Sequence, residues 1–169
     1  GMRFVLDKAC EQAVWYGRGP LETYPDCKEG NAIGCWEKNV EDFYFPYVLP
    51  QETGNHEDTR WAAFVTEAGN GICIASDKEF SFGALHYTQE NLTQATHTNE
   101  LHRTENIQLS VDYAQHGLGS ASWGAECLEK DKLYPEPFTF TWKIFGIGKE
   151  SLAERTEQYR RKKVRLPLF

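Results

Sequence analysis

Two stretches of this 169-residue chain alternate apolar and polar residues with a period of two: IQLSVD at residues 107–112 and FTFTWKI at residues 138–144. Successive side chains of a strand point to opposite faces, so this pattern specifies strands with one buried and one wet face. Residues 13–16 (AVWY) and 61–65 (WAAFV) are more uniformly apolar and read as strands covered on both sides. Ala68-Gly69-Asn70-Gly71 follows the second of these and precedes Ile72-Cys73-Ile74-Ala75. Gly and Asn adopt positive φ at low steric cost, so a hairpin is expected there. Residues 80–85 (FSFGAL) form a further strand candidate. Aromatic residues make up 14%, with five Trp and one Met, which favours pleated surfaces over helix bundles. The expectation is one all-β domain.

Helix signals are few. Thr88 reads as the N-cap of one or two turns over residues 89–95. Residues 149–169 carry seven basic and three acidic side chains, a local +4 in a chain of net charge −7. Ser151 and Glu154 there have capping-box spacing, so this tail is expected as a short helix or a loose extension. The domain proper is set at residues 2–148.

Charge and hydropathy narrow the function. A net negative chain lacks the clustered positive charge that phosphate neutralisation requires, so no nucleic-acid partner is expected. No run of about 18 apolar residues exists to span a bilayer, so no membrane partner is expected. Residues 1–4 lack the apolar stretch of a signal peptide, and Gly1 ahead of Met2 reads as the scar of an expression tag. Cys10, Cys27, Cys35, Cys73 and Cys127 are odd in number and show no C-x-x-C spacing. Free thiols are the expectation. His56, His86, His97, His102 and His116 show no H-x-x-x-H spacing, so no metal site is expected. No nucleophile elbow, P-loop or dinucleotide fingerprint is present.

What remains is an aromatic residue among small ones. Trp123 lies in Gly117-Leu118-Gly119-Ser120-Ala121-Ser122-Trp123-Gly124. A Trp in a core strand is usually packing, whereas one flanked by small residues in a loop has less to pack against and is more often displayed. An indole face suits the apolar C–H face of a pyranose. Covering half of it removes on the order of 100 Å² from water, worth roughly 2 kcal/mol before binding costs.

Four segments carry a family resemblance. WYGRGPLETYPDC (residues 15–27) resembles the W-x-G-x-G-P-x-E-x-Y-x-D signature of glycoside hydrolase family 2 β-galactosidases. PYVLPQETGNHEDTRW (46–61), FSFGALHYTQENLTQATHTNELHR (80–103) and GLGSASWGAE (117–126) are similar to later segments of the same family, in the same order. The resemblance implies an antiparallel supersandwich of the galactose-mutarotase type, of which this chain covers the second half. It also implies that the hydrolysis of terminal β-D-galactose residues is carried out by glutamates of a separate TIM barrel, which nothing here resembles. No catalytic residue is therefore expected in this chain. The Mg and the Na or K ions that the family uses belong to that barrel, and no cofactor is expected here. Trp123, with Ser122 beside it, is expected to wall the sugar pocket. A stand-alone carbohydrate-binding module and an epimerase on the mutarotase-like fold are the alternatives. The expected partners are a β-galactoside, the barrel and other domains of the parent enzyme, and a second copy of the chain through unpaired strand edges and apolar faces left bare by the missing half.

Two departures from the family pattern stand out: Ala121 replaces an acidic or amide residue, and Cys27 follows Asp26 in place of Arg. Glu22 and Glu52 fall within the resembling segments. They are expected to satisfy buried backbone amides or arginines, with Arg18 and Arg60 as structural counterparts.

Overall fold

A computed structural model describes residues 1–119 and 126–161. Seven strands form one sheet: β1 (Met2–Leu6), β2 (Gln12–Gly19), β3 (Ala32–Asn39), β4 (Asn55–Val65), β5 (Gly71–Leu85), β6 (Ile107–Asp112) and β7 (Lys143–Ile147). The order is β1-β6-β5-β4-β2-β3, with β7 also paired to β5, and every pairing is antiparallel. The all-β antiparallel expectation holds. Two helices accompany the sheet, α1 (Gln89–Gln94) and α2 (Lys149–Arg161).

The period-two pattern sorts side chains to two cores. Trp15, Ala62, Phe64, Ile74, Phe82, Ile107, Leu109 and Val111 face one side, where Val40, Phe43 and Leu92 cover them. Val14, Trp61, Ala63, Val65 and Cys73 face the other side with Ile147. The expected hairpin joins β4 to β5. The Thr66 amide donates to Asn70 O, the Gly69 amide to Thr66 O, and Gly69 takes φ +80°. Thr88 caps α1 as expected, its Oγ1 accepting from the Asn91 amide at 3.1 Å. All five cysteines are free thiols.

Three local expectations need correction. Residues 138–142 are not strand. Phe138 stacks on Tyr113 at 4.5 Å, and Phe140 and Trp142 pack against the first core through their rings. Residues 81–85 of β5 are already paired with β6, so the returning chain reaches β5 only at residues 71–75, where β7 lies. The capping-box reading of Ser151 fails because α2 has already begun at Lys149, and the Leu152 amide donates to Gly148 O.

The third correction concerns the face expected to be bare. Leu152 and Tyr159 of α2 pack on the second core, Tyr159 lies 4.7 Å from Tyr16, and Arg155 sits over Trp61. The helix thus removes from water an apolar surface that would otherwise face solvent. Among the described residues, β1 and β3 end the sheet path.

Candidate functional site

Three connections are tied together by hydrogen bonds: residues 20–31 after β2, 44–54 before β4, and the described residues 113–119 and 126–131 after β6. Each contains a segment singled out from the sequence. The first two are joined through backbone and side chains. The Thr23 amide donates to Asn55 O at 2.7 Å, and the Asn55 amide group donates to Thr23 O at 2.9 Å and Glu57 Oε1 at 3.1 Å. The Glu57 amide in turn donates to Thr23 Oγ1 at 2.7 Å. Thr23 and Asn55 are fully buried, so these bonds satisfy groups that water cannot reach.

Glu22 acts as expected. Its carboxylate accepts from the Gly54 amide at 2.7 Å, from the Thr53 hydroxyl at 2.8 Å and from the Tyr47 hydroxyl. Glu52 accepts from the Tyr24 hydroxyl at 3.3 Å, and burial pushes its carboxyl above the ordinary value. Burial also raises Glu57 to about 6, against the opposing pull of Lys28 and Asn55.

Arg18 and Arg60 hold structure, but their carboxylate partners are not Glu22 and Glu52. Arg18 pairs with Asp58 and donates to the carbonyls of Lys28 and Asn31, each at 3.0 Å. Arg60 pairs with Glu79 and donates to Asp58 O. The cause is a bulge in β4 between His56 and Trp61, where Asp58 takes φ +52°. A bulge re-aims the side chain at its apex. Here it brings Asp58 to Arg18 and to Lys28 Nζ, 2.9 Å away. Burial would raise the Asp58 carboxyl, but the hydrogen bonds from Arg18 and Lys28 outweigh it and hold the group below its ordinary value.

The third connection is held at both ends. Leu118 and Gly119 donate their amides to the two oxygens of Asp26, at 3.1 and 2.8 Å. The Gly117 amide donates to Asp131 O at 2.9 Å. His116, just before the loop, meets the returning side: its Nδ1 accepts from the Leu133 amide at 3.0 Å and its Nε2 lies 3.4 Å from the sulfur of buried Cys127. Lys132 bridges Glu126 at 2.7 Å and Glu129 at 3.3 Å. Trp123 and Ser122 themselves lie outside the described residues.

At the end of β6 lies a polar hollow of about 340 Å³, with Arg3, Glu52, Gln89, Ser110, Asp112 and Gln115 among its walls. Burial raises the Asp112 carboxyl as it does Glu52. The sequence reading missed Asp112, Gln115 and Asp26, because their roles depend on contacts between distant segments.

Among the described residues, one cluster brings a histidine and two carboxylates within metal-ligand reach: Glu11, Glu41 and His86. It does not suit an ion. A ligating imidazole normally donates its second N–H to an acceptor. The Nδ1 of His86 is buried without a partner, and Arg103 already engages Glu41 at 2.7 Å. His86 Nε2 instead meets Glu11 at 2.9 Å, tying the start of β2 to the end of β5.

A family model described as the β-galactosidase small chain matches residues 1–144. The β-galactosidase of Staphylococcus xylosus is 33% identical over 144 residues, covering 85% of this chain and 14% of that protein. The β-galactosidase BgaC of Bifidobacterium adolescentis is 36% identical over 137 residues (79% and 13%). The β-galactosidase of Kluyveromyces lactis is 34% identical over 146 residues (85% and 14%). The chain thus spans about one seventh of the length of these relatives.

Proposed function

Since the chain belongs to the β-galactosidase small-chain family, we propose that it is the non-catalytic, pocket-walling part of an enzyme that hydrolyses terminal β-D-galactose residues. The observation that carries this reading is the anchoring of the Gly-rich loop. Residues leading into it are bound by a carboxylate from another family-resembling segment. Trp123 offers its indole face to the apolar side of the galactose ring, and Ser122 offers a hydroxyl next to it.

The engagement of Glu22 and Asp58 supports a structural share for these two carboxylates. Glycoside hydrolysis uses two carboxyl groups placed about 5–10 Å apart across the scissile bond, free to donate a proton and to attack or activate water. Both oxygens of Glu22 accept from Tyr47, Thr53 and Gly54, and both oxygens of Asp58 meet cations. The catalytic pair and the family's metal ions are assigned to the barrel of the parent enzyme, which no segment of this chain resembles. The barrel and remaining domains are the proposed partners, along with a second copy of this chain at the open edges of β1 and β3.

The purified chain is expected to release no chromophore from a chromogenic β-galactoside above the buffer rate. Turnover that survives rigorous purification would overturn the reading. Calorimetric binding of a galactoside by the chain alone, lost on Trp123→Ala, would favour an independent sugar-binding module instead.

A further inference from the structure

We propose that Asp26 is the positioning residue for the loop that carries Trp123, acting by fixing the backbone direction from which that loop departs. The inference rests on the pocket-wall reading for its functional consequence, but its structural part stands on separate observations.

Asp26 is presented rigidly. Tyr24, Pro25, Asp26 and Cys27 form a turn closed by the Cys27 amide donating to Tyr24 O at 3.0 Å. Pro25 restricts φ at the second position of that turn. Tyr24 is fully buried, and its hydroxyl donates to Glu52 while accepting from the Asn55 amide at 3.4 Å. The turn is therefore tied to the interior on the side away from the loop.

The carboxylate has no ion-pair partner among the described residues. Its oxygens are instead committed one each to consecutive amides 92 and 93 positions further along the chain. Two bonds to neighbouring amides fix direction as well as distance, which one bond does not. Charged acceptors also make stronger bonds to backbone N–H than neutral ones. The fit leaves no slack. A Cβ on Gly117 would lie 3.0 Å from Asp26 Cγ and 3.0 Å from Cys127 Cβ, and Gly119 takes φ +99°. A side chain at 117 would thus crowd the carboxylate, and the backbone conformation at 119 is one that favours glycine.

Hydrogen exchange of the whole chain tests the anchor directly. Loss of a charge-assisted bond should accelerate exchange of the Leu118 and Gly119 amides about tenfold or more in Asp26→Ala, with Ala62 and Phe64 in the core unchanged. Asp26→Asn, which keeps the shape and one carbonyl acceptor, should fall between the two and serves alone if the alanine variant does not fold. Equal acceleration everywhere, or none at Leu118 and Gly119, overturns the proposal.

The functional arm uses the complete enzyme carrying this segment. Asp26→Asn should raise KM for a β-galactoside several-fold at nearly constant kcat, and should add nothing in a Trp123→Ala background. An undiminished effect in that background overturns the positioning role. If Trp123→Ala leaves KM unchanged while the exchange result holds, the pocket-wall reading fails and the anchor itself stands.

Discussion

His56 shows how one side chain couples this fold to pH. Its ring is fully enclosed by Trp15, Phe43 and Phe82, with centroids 4.5, 4.9 and 5.4 Å away. Burial depresses its pKa from 6.5 to about 3. Between those values the unfolded chain binds the proton and the folded chain does not, so stability rises with pH across that window. The contribution is complete above pH 6.5 and is lost as pH falls toward 3, amounting to about 5 kcal/mol. Glu57 works in the opposite sense. Raised to about 6, it lowers stability as pH climbs from 4.5 to 6, by roughly 2 kcal/mol. The histidine has the larger span and wins. His56→Phe, which keeps the ring contacts, should remove most of the acid-side loss of Tm between pH 6.5 and 4. A variant that retains the wild-type slope would show that other groups control it.

At the scale of elements, sequence pattern worked where burial is one- or two-sided and strands are interior. β2, β4, β5 and β6 were legible because each alternates between two covered faces or between a covered and a wet one. α1 was legible because Thr88 caps it locally. β1 and β3 were not identified, since strands at the ends of a sheet bury little and show weak patterning. β7 was expected too early along the chain. Alternating aromatics at residues 138–142 pack through rings on the first core, whereas backbone pairing with β5 begins only at Lys143. The end strands also carry a prediction. β1 exposes its outer edge and the side chain of Val5, 64% accessible, and unpaired edges recruit other strands. Sedimentation of the chain should show a concentration-dependent dimer, and Val5→Lys should move it toward monomer. A wild-type chain that stays monomeric at high concentration would exclude edge pairing.

For the molecule as a whole, the loop containing Trp123 could be picked out from small residues around an indole, yet what holds that loop could not. Asp26 and Gly119 are 93 positions apart, and only the folded sheet brings the β2–β3 connection beside the one after β6. The same holds for Arg18 and Asp58, which a backbone bulge unites, and for α2, whose apolar residues close a face that the family pattern alone would have left open. Under the proposed pocket-wall reading, the share of this scaffold in the work is recognition rather than bond cleavage. The most direct test is steady-state kinetics of the complete enzyme with Trp123→Ala. An indole face worth roughly 2 kcal/mol corresponds to about a 30-fold loss in kcat/KM for a β-galactoside. The account predicts that loss with retained fold and barrel chemistry, and a kcat/KM within twofold of wild type would contradict it.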